Sequence, residues 1–208
     1  MNQKVLSVKD CYELLTLENV PLHIISHSEK VALITHLLTC FLVHSGEELS
    51  LELAVAGALL HDIKKFESIT SGIDHGKAGY EMLLSLGYPR VAEIVLHHIN
   101  LPEEMIASSR VHEDEVVFYS DKRVMHEDVV SVEERFVDLR VRYGKTQEKL
   151  RRLDYLEKVT LKIEEKIFSK LRFSPDVVNA VKRVPKEEVR NVLETRVKGC
   201  TTCWREFL

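Results

Sequence analysis

The sequence of 208 residues contains few of the features that mark secreted or membrane proteins. It has only four cysteines, at positions 11, 40, 200 and 203, which form no disulfide framework for a chain of this size. No apolar run approaches the roughly 18 residues that a membrane-spanning helix needs, and the first residues lack the apolar core of a signal peptide. These absences predict a cytoplasmic protein with no membrane partner.

The sequence also lacks convincing alternating strands, internal repeats and low-complexity linkers. Apolar residues recur instead at helical spacing, between caps such as Ser7 with Asp10 and stops such as Gly87 and Gly144. This spacing predicts helices near residues 7–17, 29–43, 50–65, 74–86, 89–100, 114–125, 131–143, 146–171, 174–183 and 186–197, with a loop at 67–72. The predicted fold class is therefore all-α, and the long stripe 146–171 is expected to serve packing.

Charge is distributed unevenly along the chain. Residues 1–126 hold 10 Lys and Arg against 18 Asp and Glu, a net −8, whereas residues 127–208 hold 19 against 15, a net +4. Eight of the ten histidines lie between positions 23 and 98, within the acidic part. Acidic residues and histidines together favour divalent cation binding, whereas the small basic excess, mixed with acids, predicts no nucleic acid polymer as partner.

His61 and Asp62 follow directly on the apolar run 51–60, where the buried part of the predicted helix 50–65 runs out. Burying both groups is costly unless something satisfies them. Adjacent side chains on a helix point about 100° apart, so a bend or helix end is needed for both to reach one ion. A metal site in an all-α protein draws its ligands from several helices. The candidates that could converge are His27, His61, Asp62, His75, His97, His98 and Asp121.

Five segments carry a resemblance to a known family, over roughly residues 20–125. They are residues 21–32 with His27, Leu59-Leu-His61-Asp62-Ile-Lys-Lys65, Asp74-His75-Gly-Lys-Ala-Gly79, 94–98 with His97 and His98, and Tyr119-Ser-Asp121-Lys122. In order and surroundings these segments resemble the HD-domain metal-dependent phosphohydrolase superfamily, of the type that reads His-Asp-Ile-Gly-Lys. Here Lys64 replaces that glycine. Segments 74–79 and 94–97 are similar to the bacterial symmetrical diadenosine tetraphosphate hydrolases. In those hydrolases Thr-Thr-Gly usually follows the histidine, whereas His-Ile-Asn follows His97 here.

The resemblance implies an HD-domain helical bundle over residues 1–144 and additional C-terminal helices over residues 145–208, packed on this core. It implies a first metal site of His27, His61, Asp62 and Asp121. It implies a second, in members with two metals, that adds His75 and His97, with Asp62 as the bridge. His98 could bind either the metal or the substrate. One or two divalent ions are expected, from among Fe, Mn, Co, Ni, Mg and Zn.

The implied activity is hydrolysis of a phosphoester or phosphoanhydride in a nucleotide or related small phosphate compound by metal-activated water. Asp62 is the expected catalytic residue, and Lys65, Lys122 and Arg123 lie beside ligand positions where they could neutralise phosphate charge. Lys122 and Arg123 have the alternative of being ordinary surface charges. The expected partner is a small phosphorylated substrate, and a homodimer is left open.

Two other functions remain open at this point. One is a non-catalytic, metal-stabilised helical module whose residues 146–208 bind a protein partner. The other is a mixed-valent di-iron oxygenase, which uses the same ligand set in this superfamily. Cys200 and Cys203 have zinc-like spacing but form only half of a four-ligand site, so exposed thiols are the expectation there. Trp204 and Phe207 are expected to dock the tail.

Overall fold

The computed structural model describes residues 5–195 and 204, and these residues form an all-α protein, as predicted. The α-helices of the described residues are α1 (Val8–Leu17), α2 (Leu22–His44), α3 (Leu51–Leu60), α4 (Lys65–Ser71), α5 (His75–Ser85), α6 (Pro89–His97), α7 (Glu103–Ala107), α8 (Glu113–Lys122), α9 (Val132–Tyr143), α10 (Gln147–Ser169) and α11 (Val189–Leu193). A short antiparallel hairpin, β1 (Val124–Met125) and β2 (Asp128–Val129), joins α8 to α9. Two 3-10 helices, Pro175–Arg183 and Lys186–Glu188, precede α11.

Helices α2 and α3 form the centre of the core. Helix α2 is buried along most of its length, and α3 is buried at every position except Glu52. A helix that is apolar all round belongs inside a protein, because no face of it favours water. Helices α6 and α8 pack against α3, and α8 also packs against α2, so the ends of these helices meet in the interior.

Small residues in α3 allow this close packing. A Cβ atom added at Gly57 would lie 2.4 Å from Cγ2 of Ile94 on α6, closer than any carbon pair tolerates. The glycine therefore sets the distance between α3 and α6, as the run of small residues around it predicts. This spacing brings the end of α3, with His61 and Asp62, close to the end of α6.

The chain turns sharply after α3, where the sequence predicts a continuous helix. Backbone bonds from Ile63 N to Leu60 O (3.0 Å) and from Lys65 N to Asp62 O (2.9 Å) span three residues instead of four. The prediction of one helix over 50–65 is therefore wrong at its C-terminal end. The turn directs both His61 and Asp62 inward.

The predicted loop at 67–72 is also wrong, because α4 occupies this stretch. Gly72, at φ +72°, ends α4 in the left-handed conformation that glycine adopts without steric cost. Lys64, which replaces a glycine of many relatives, has φ −102° and pairs with Glu18 and Glu67. The backbone at this position therefore has no need of glycine.

The hairpin after α8 was not predicted either, since helix was expected to residue 125. Two residues per strand are too short to show alternation in the sequence. His126, at the turn, has φ +58°, and its carbonyl oxygen lies 2.8 Å from Nδ1 of His27. The hairpin thus orients a histidine of α2.

The C-terminal helices pack on α8 and α2. The predicted stripe of α10 buries Leu153, Val159, Ile163 and Ile167. Trp204 is fully buried, and its indole Nε1 donates to Nδ1 of His36 at 2.9 Å. The domain division at 144/145 stays a prediction.

The described cysteines differ in state. Cys11 is a buried free thiol, and Cys40 is disulfide-bonded. Cys200, Cys203 and Phe207 lie outside the described residues. No helix among the described residues is both long and apolar enough to cross a membrane.

Candidate metal centre

Three buried side chains from α2, the end of α3 and the end of α8 form a first group. Nε2 of His27 lies 3.1 Å from Oδ1 of Asp121, and Nε2 of His61 lies 3.7 Å from the same oxygen. These three atoms lie within 4.8 Å of one another. This is a donor set of two imidazoles and one carboxylate, which suits a borderline or hard divalent cation.

A second group lies beside the first and is formed by Asp62, His75 and His98. Nε2 of His75 lies 3.3 Å from Oδ1 of Asp62 and 3.2 Å from Nε2 of His98. Oδ2 of Asp62 lies 3.3 Å from Nε2 of His61 in the first group. The Asp62 carboxylate therefore has one oxygen facing each group, which is the arrangement of a bridging ligand.

Backbone carbonyls fix the orientation of the histidine rings. Nδ1 of His27 contacts His126 O at 2.8 Å, Nδ1 of His61 contacts Ala58 O at 2.7 Å, and Nδ1 of His98 contacts Val95 O at 2.5 Å. A carbonyl oxygen only accepts, so each Nδ1 must donate its hydrogen. In a neutral ring this leaves the lone pair on Nε2, pointing into the centre. Metal-binding histidines are held in the same way.

Two atoms at the middle of the centre have no hydrogen-bond partner. They are Nε2 of His61 and Oδ1 of Asp62, and both are fully buried. A buried polar atom without a partner costs about 1–3 kcal/mol, and more when it is charged. A divalent cation in each group would satisfy both atoms, so the donor set and its unsatisfied atoms fit the metal that the sequence predicts.

The electrostatics of the centre favour positive charge. Although burial opposes a charge on His61, Asp62 and Asp121 raise its pKa to about 9. Although burial also opposes ionisation of Asp62, the charges of His61 and Lys65 hold its pKa well below the usual range. Burial, with the nearby charge of His61, lowers the pKa of His98. Because a metal must displace the proton on a ligand, cation binding here would release the proton of His61.

Asp121 is held by a buried lysine. Nζ of Lys122 donates to Oδ2 of Asp121 at 2.9 Å and to His98 O at 2.6 Å. It thereby leaves Oδ1 of Asp121 facing the first group. Lys122 is buried and is therefore not a surface charge, whereas a role for it in binding substrate stays a prediction. The cause is the turn from α8 into the hairpin, which keeps the last residues of α8 inside.

Arg123 is corrected for the same reason. It is buried, donates from Nε to Val130 O at 2.7 Å, and contacts the hydroxyl of Tyr119 and the carboxylate of Glu164. It joins α8, the hairpin and α10, so it is not a surface charge, and a role for it in binding substrate stays a prediction. Lys65, in contrast, lines a cavity beside the centre and donates to Oδ2 of Asp62 at 2.5 Å.

His97 is the third difference from the sequence prediction. Its Nδ1 lies 2.7 Å from Oδ1 of the buried Asp114, whereas His98 joins the second group. One residue further along a helix turns a side chain by about 100°. The buried positions Val91, Ile94 and Val95 of α6 place His98, seven residues after Val91, on the same inward face. That periodicity could have identified His98 from the sequence.

A cavity of about 300 Å³ opens beside the centre. His27 and Asp62 form part of its wall, and Lys65, Arg135, Arg142 and Tyr143 form another part. His23 and His126 also line it. Neither arginine was a candidate in the sequence, because a helix with mixed charges gives no sign of which face is buried.

Comparisons with known proteins bear on the same region. Residues 24–139 match the model of the HD domain family. An uncharacterized protein of Methanocaldococcus jannaschii is 30% identical over 150 residues, which cover 63% of this chain and 83% of that protein. No solved structure matches the chain significantly. The matched residues 24–139 include both groups of the centre.

Proposed function

The chain belongs to the HD domain family, and on that premise we propose that it hydrolyses a phosphoester or phosphoanhydride bond in a nucleotide or related small phosphate compound. Metal-dependent phosphohydrolysis is the general activity that this family suggests. The substrate class is part of the proposal, since the relative from Methanocaldococcus jannaschii is itself uncharacterized.

The sharing of Asp62 by the two groups is the observation that carries the proposal. His27, His61 and Asp121 would hold one divalent cation, and Asp62, His75 and His98 would hold a second. When bound, such ions lower the pKa of a water molecule and polarise a phosphoryl oxygen. Hydrolysis would join the oxygen of a water molecule to phosphorus and break the bond from phosphorus to the leaving oxygen. One proton of the water would stay on the new phosphate oxygen and the other would pass to the leaving oxygen, or either to solvent where the products ionise.

Asp62 acts in this proposal as a shared ligand more than as a proton acceptor. Its pKa lies well below the usual range, because burial is outweighed by His61 and Lys65. A general base works best with a pKa near the working pH, and Asp62 is far from it. Lys65 contributes an ammonium group at the wall of the cavity, 2.5 Å from Oδ2 of Asp62, where it can neutralise phosphate charge.

The proposal is tested by metal analysis joined to a hydrolysis assay. The full chain is purified, its divalent metals are measured, and a generic phosphodiester and a nucleotide panel are offered with Mn²⁺, Co²⁺ or Fe²⁺. Wild type is expected to bind metal and hydrolyse at least one compound, and Asp62→Ala to lose both properties. Hydrolysis by Asp62→Ala at the wild-type rate would refute the proposal.

The same preparation separates the two alternatives. A di-iron oxygenase would require iron and consume oxygen, and a non-catalytic module would retain metal while hydrolysing nothing. His97→Gln is a suitable control for His98→Gln, because the two neighbours differ in whether they face the centre.

A further inference from the structure

Helix α9 carries two arginines that converge on one carboxylate. NH1 of Arg135 lies 3.1 Å from Oδ2 of Asp138, and Nε of Arg142 lies 3.4 Å from the same oxygen. Positions 135 and 142 are seven residues apart, so they fall on nearly the same face of the helix, two turns apart. The two guanidinium groups thus meet at a single point, with one negative charge between two positive charges.

These arginines have more hydrogen-bond donors than partners. A guanidinium group carries five N–H donors. Nε of Arg135 is buried without a hydrogen-bond partner, and Nε of Arg142 makes only the 3.4 Å ion-pair contact with Asp138 and no hydrogen bond. Arg135 is 8% exposed, so water does not readily supply the missing partners. Arg140 on the same helix shows the contrast, because Asp154 and Glu157 pair with it.

The side chains of both arginines line the cavity beside the metal centre. His27 and Asp62 are on one side of this cavity, and Arg135 and Arg142 also line it. The ion pairs among the described residues join both arginines to Asp138 and neither to a carboxylate of the metal centre. Lys65 connects the two regions. It forms an ion pair with Asp62, and the positive charge of Arg135 acts to lower its pKa, against the larger opposite effect of Asp62.

We propose that Arg135 and Arg142 bind a second phosphoryl group of the substrate, next to the one at the metal centre. This inference rests on the proposed function and narrows its substrate to compounds with two or more linked phosphates, such as a nucleoside diphosphate or triphosphate. Planar guanidinium groups bind phosphate oxygens through two parallel N–H donors, and both of these guanidinium side chains line the cavity. The metal centre alone would recognise a single phosphate.

Binding of inorganic pyrophosphate tests the arginine site without catalysis. Calorimetric titration of the full chain in EDTA compares wild type, Arg135→Gln, Arg142→Gln and Arg140→Gln. Substitution of either cavity arginine by Gln is expected to weaken pyrophosphate binding by about tenfold or more, as loss of a hydrogen bond to a charged group does. Arg140→Gln removes the same charge from the same helix, outside the cavity, and should bind as wild type does. Equal affinity in all four proteins would refute the site.

Steady-state kinetics test whether the bound phosphate is the second one. With metal present, Arg142→Gln is expected to raise KM for a nucleoside diphosphate about tenfold or more, while KM for a phosphomonoester stays unchanged. Equal increases in both KM values would overturn the inference, because the arginines would then bind the phosphate that is attacked. If Arg135→Gln unfolds, Arg142→Gln decides the test alone. The Arg142 side chain is 34% exposed, so its substitution disturbs the core less.

The outcomes for the two proposals are separate. Loss of pyrophosphate affinity in the variants supports the arginine site whether or not wild type hydrolyses anything. Failure of the proposed function is seen as absence of metal or of hydrolysis in wild type. Unchanged pyrophosphate affinity in a wild type that hydrolyses nucleotides refutes the arginine site and leaves the hydrolase proposal intact.

Discussion

Acid should destabilise the protein through His36, which lies at the centre of α2 and is fully buried. Its Nε2 lies 3.0 Å from Thr195 O, which only accepts, so Nε2 carries the hydrogen. Its Nδ1 accepts from Nε1 of Trp204 at 2.9 Å. Both ring nitrogens are thus used by a neutral imidazole, and a second proton on Nδ1 would face the indole N–H.

The magnitude follows from the pKa of His36. Burial lowers the pKa from 6.5 to about 4, against a smaller opposite effect of the bond to Thr195. The unfolded state therefore takes up the proton first as the pH falls. The stabilisation is complete above pH 6.5 and is lost as the pH falls through about 4. A difference of about 2.5 units at 1.36 kcal/mol each gives about 3.4 kcal/mol.

Urea unfolding at pH 7.5 and pH 4 measures this loss, with fluorescence of Trp204, the only tryptophan, as the probe. His36→Gln cannot titrate, so its free energy of unfolding should fall by about 3 kcal/mol less than that of wild type between the two pH values. His44→Gln, at the exposed end of α2, should behave as wild type does. A loss in His36→Gln equal to that of wild type would refute the reasoning.

Two further substitutions test the packing and the ligands. Gly57→Ala places a methyl group against Ile94 and should lower the free energy of unfolding by about 1–3 kcal/mol, measured by urea titration; a stability equal to wild type would contradict the close approach of α3 and α6. His98→Gln should lose the second metal ion, whereas His97→Gln should keep it, as measured by metal content after dialysis; the opposite pattern would return His97 to the ligand set.

Much of the fold could be predicted because its signals are local. The capping box of Ser7 and Asp10 and the stripe along α10 each depend on residues within a few turns of one another. Features set by distant contacts were missed. The turn after Leu60 directs His61 and Asp62 towards ligand groups on other helices, and the hairpin is defined by pairing of Val124 with Val129.

The candidate site shows the same division. The resemblance brought His27, His61, Asp62, His75 and Asp121 into consideration, and the structure brings these five together.

The direction and the burial of individual side chains were harder to predict from the sequence. Adjacent residues such as His97 and His98 differ in direction, which the spacing of Val91, Ile94 and Val95 indicates but a motif match alone does not. Lys122 and Arg123 are charged, and charged residues are mostly exposed, so their burial was not expected. The position of Arg135 and Arg142 at the cavity depends on how α9 packs, which the sequence does not indicate.

Metal content of the purified chain tests the central claim most directly. Wild type, Asp62→Asn and His75→Asn are compared with Asp74→Asn. The control removes a neighbouring carboxylate and keeps a good N-cap for α5. The account predicts two ions in wild type and in Asp74→Asn, one in His75→Asn, and none in Asp62→Asn. Absence of divalent metal from wild type, or full metal content in Asp62→Asn, would contradict it.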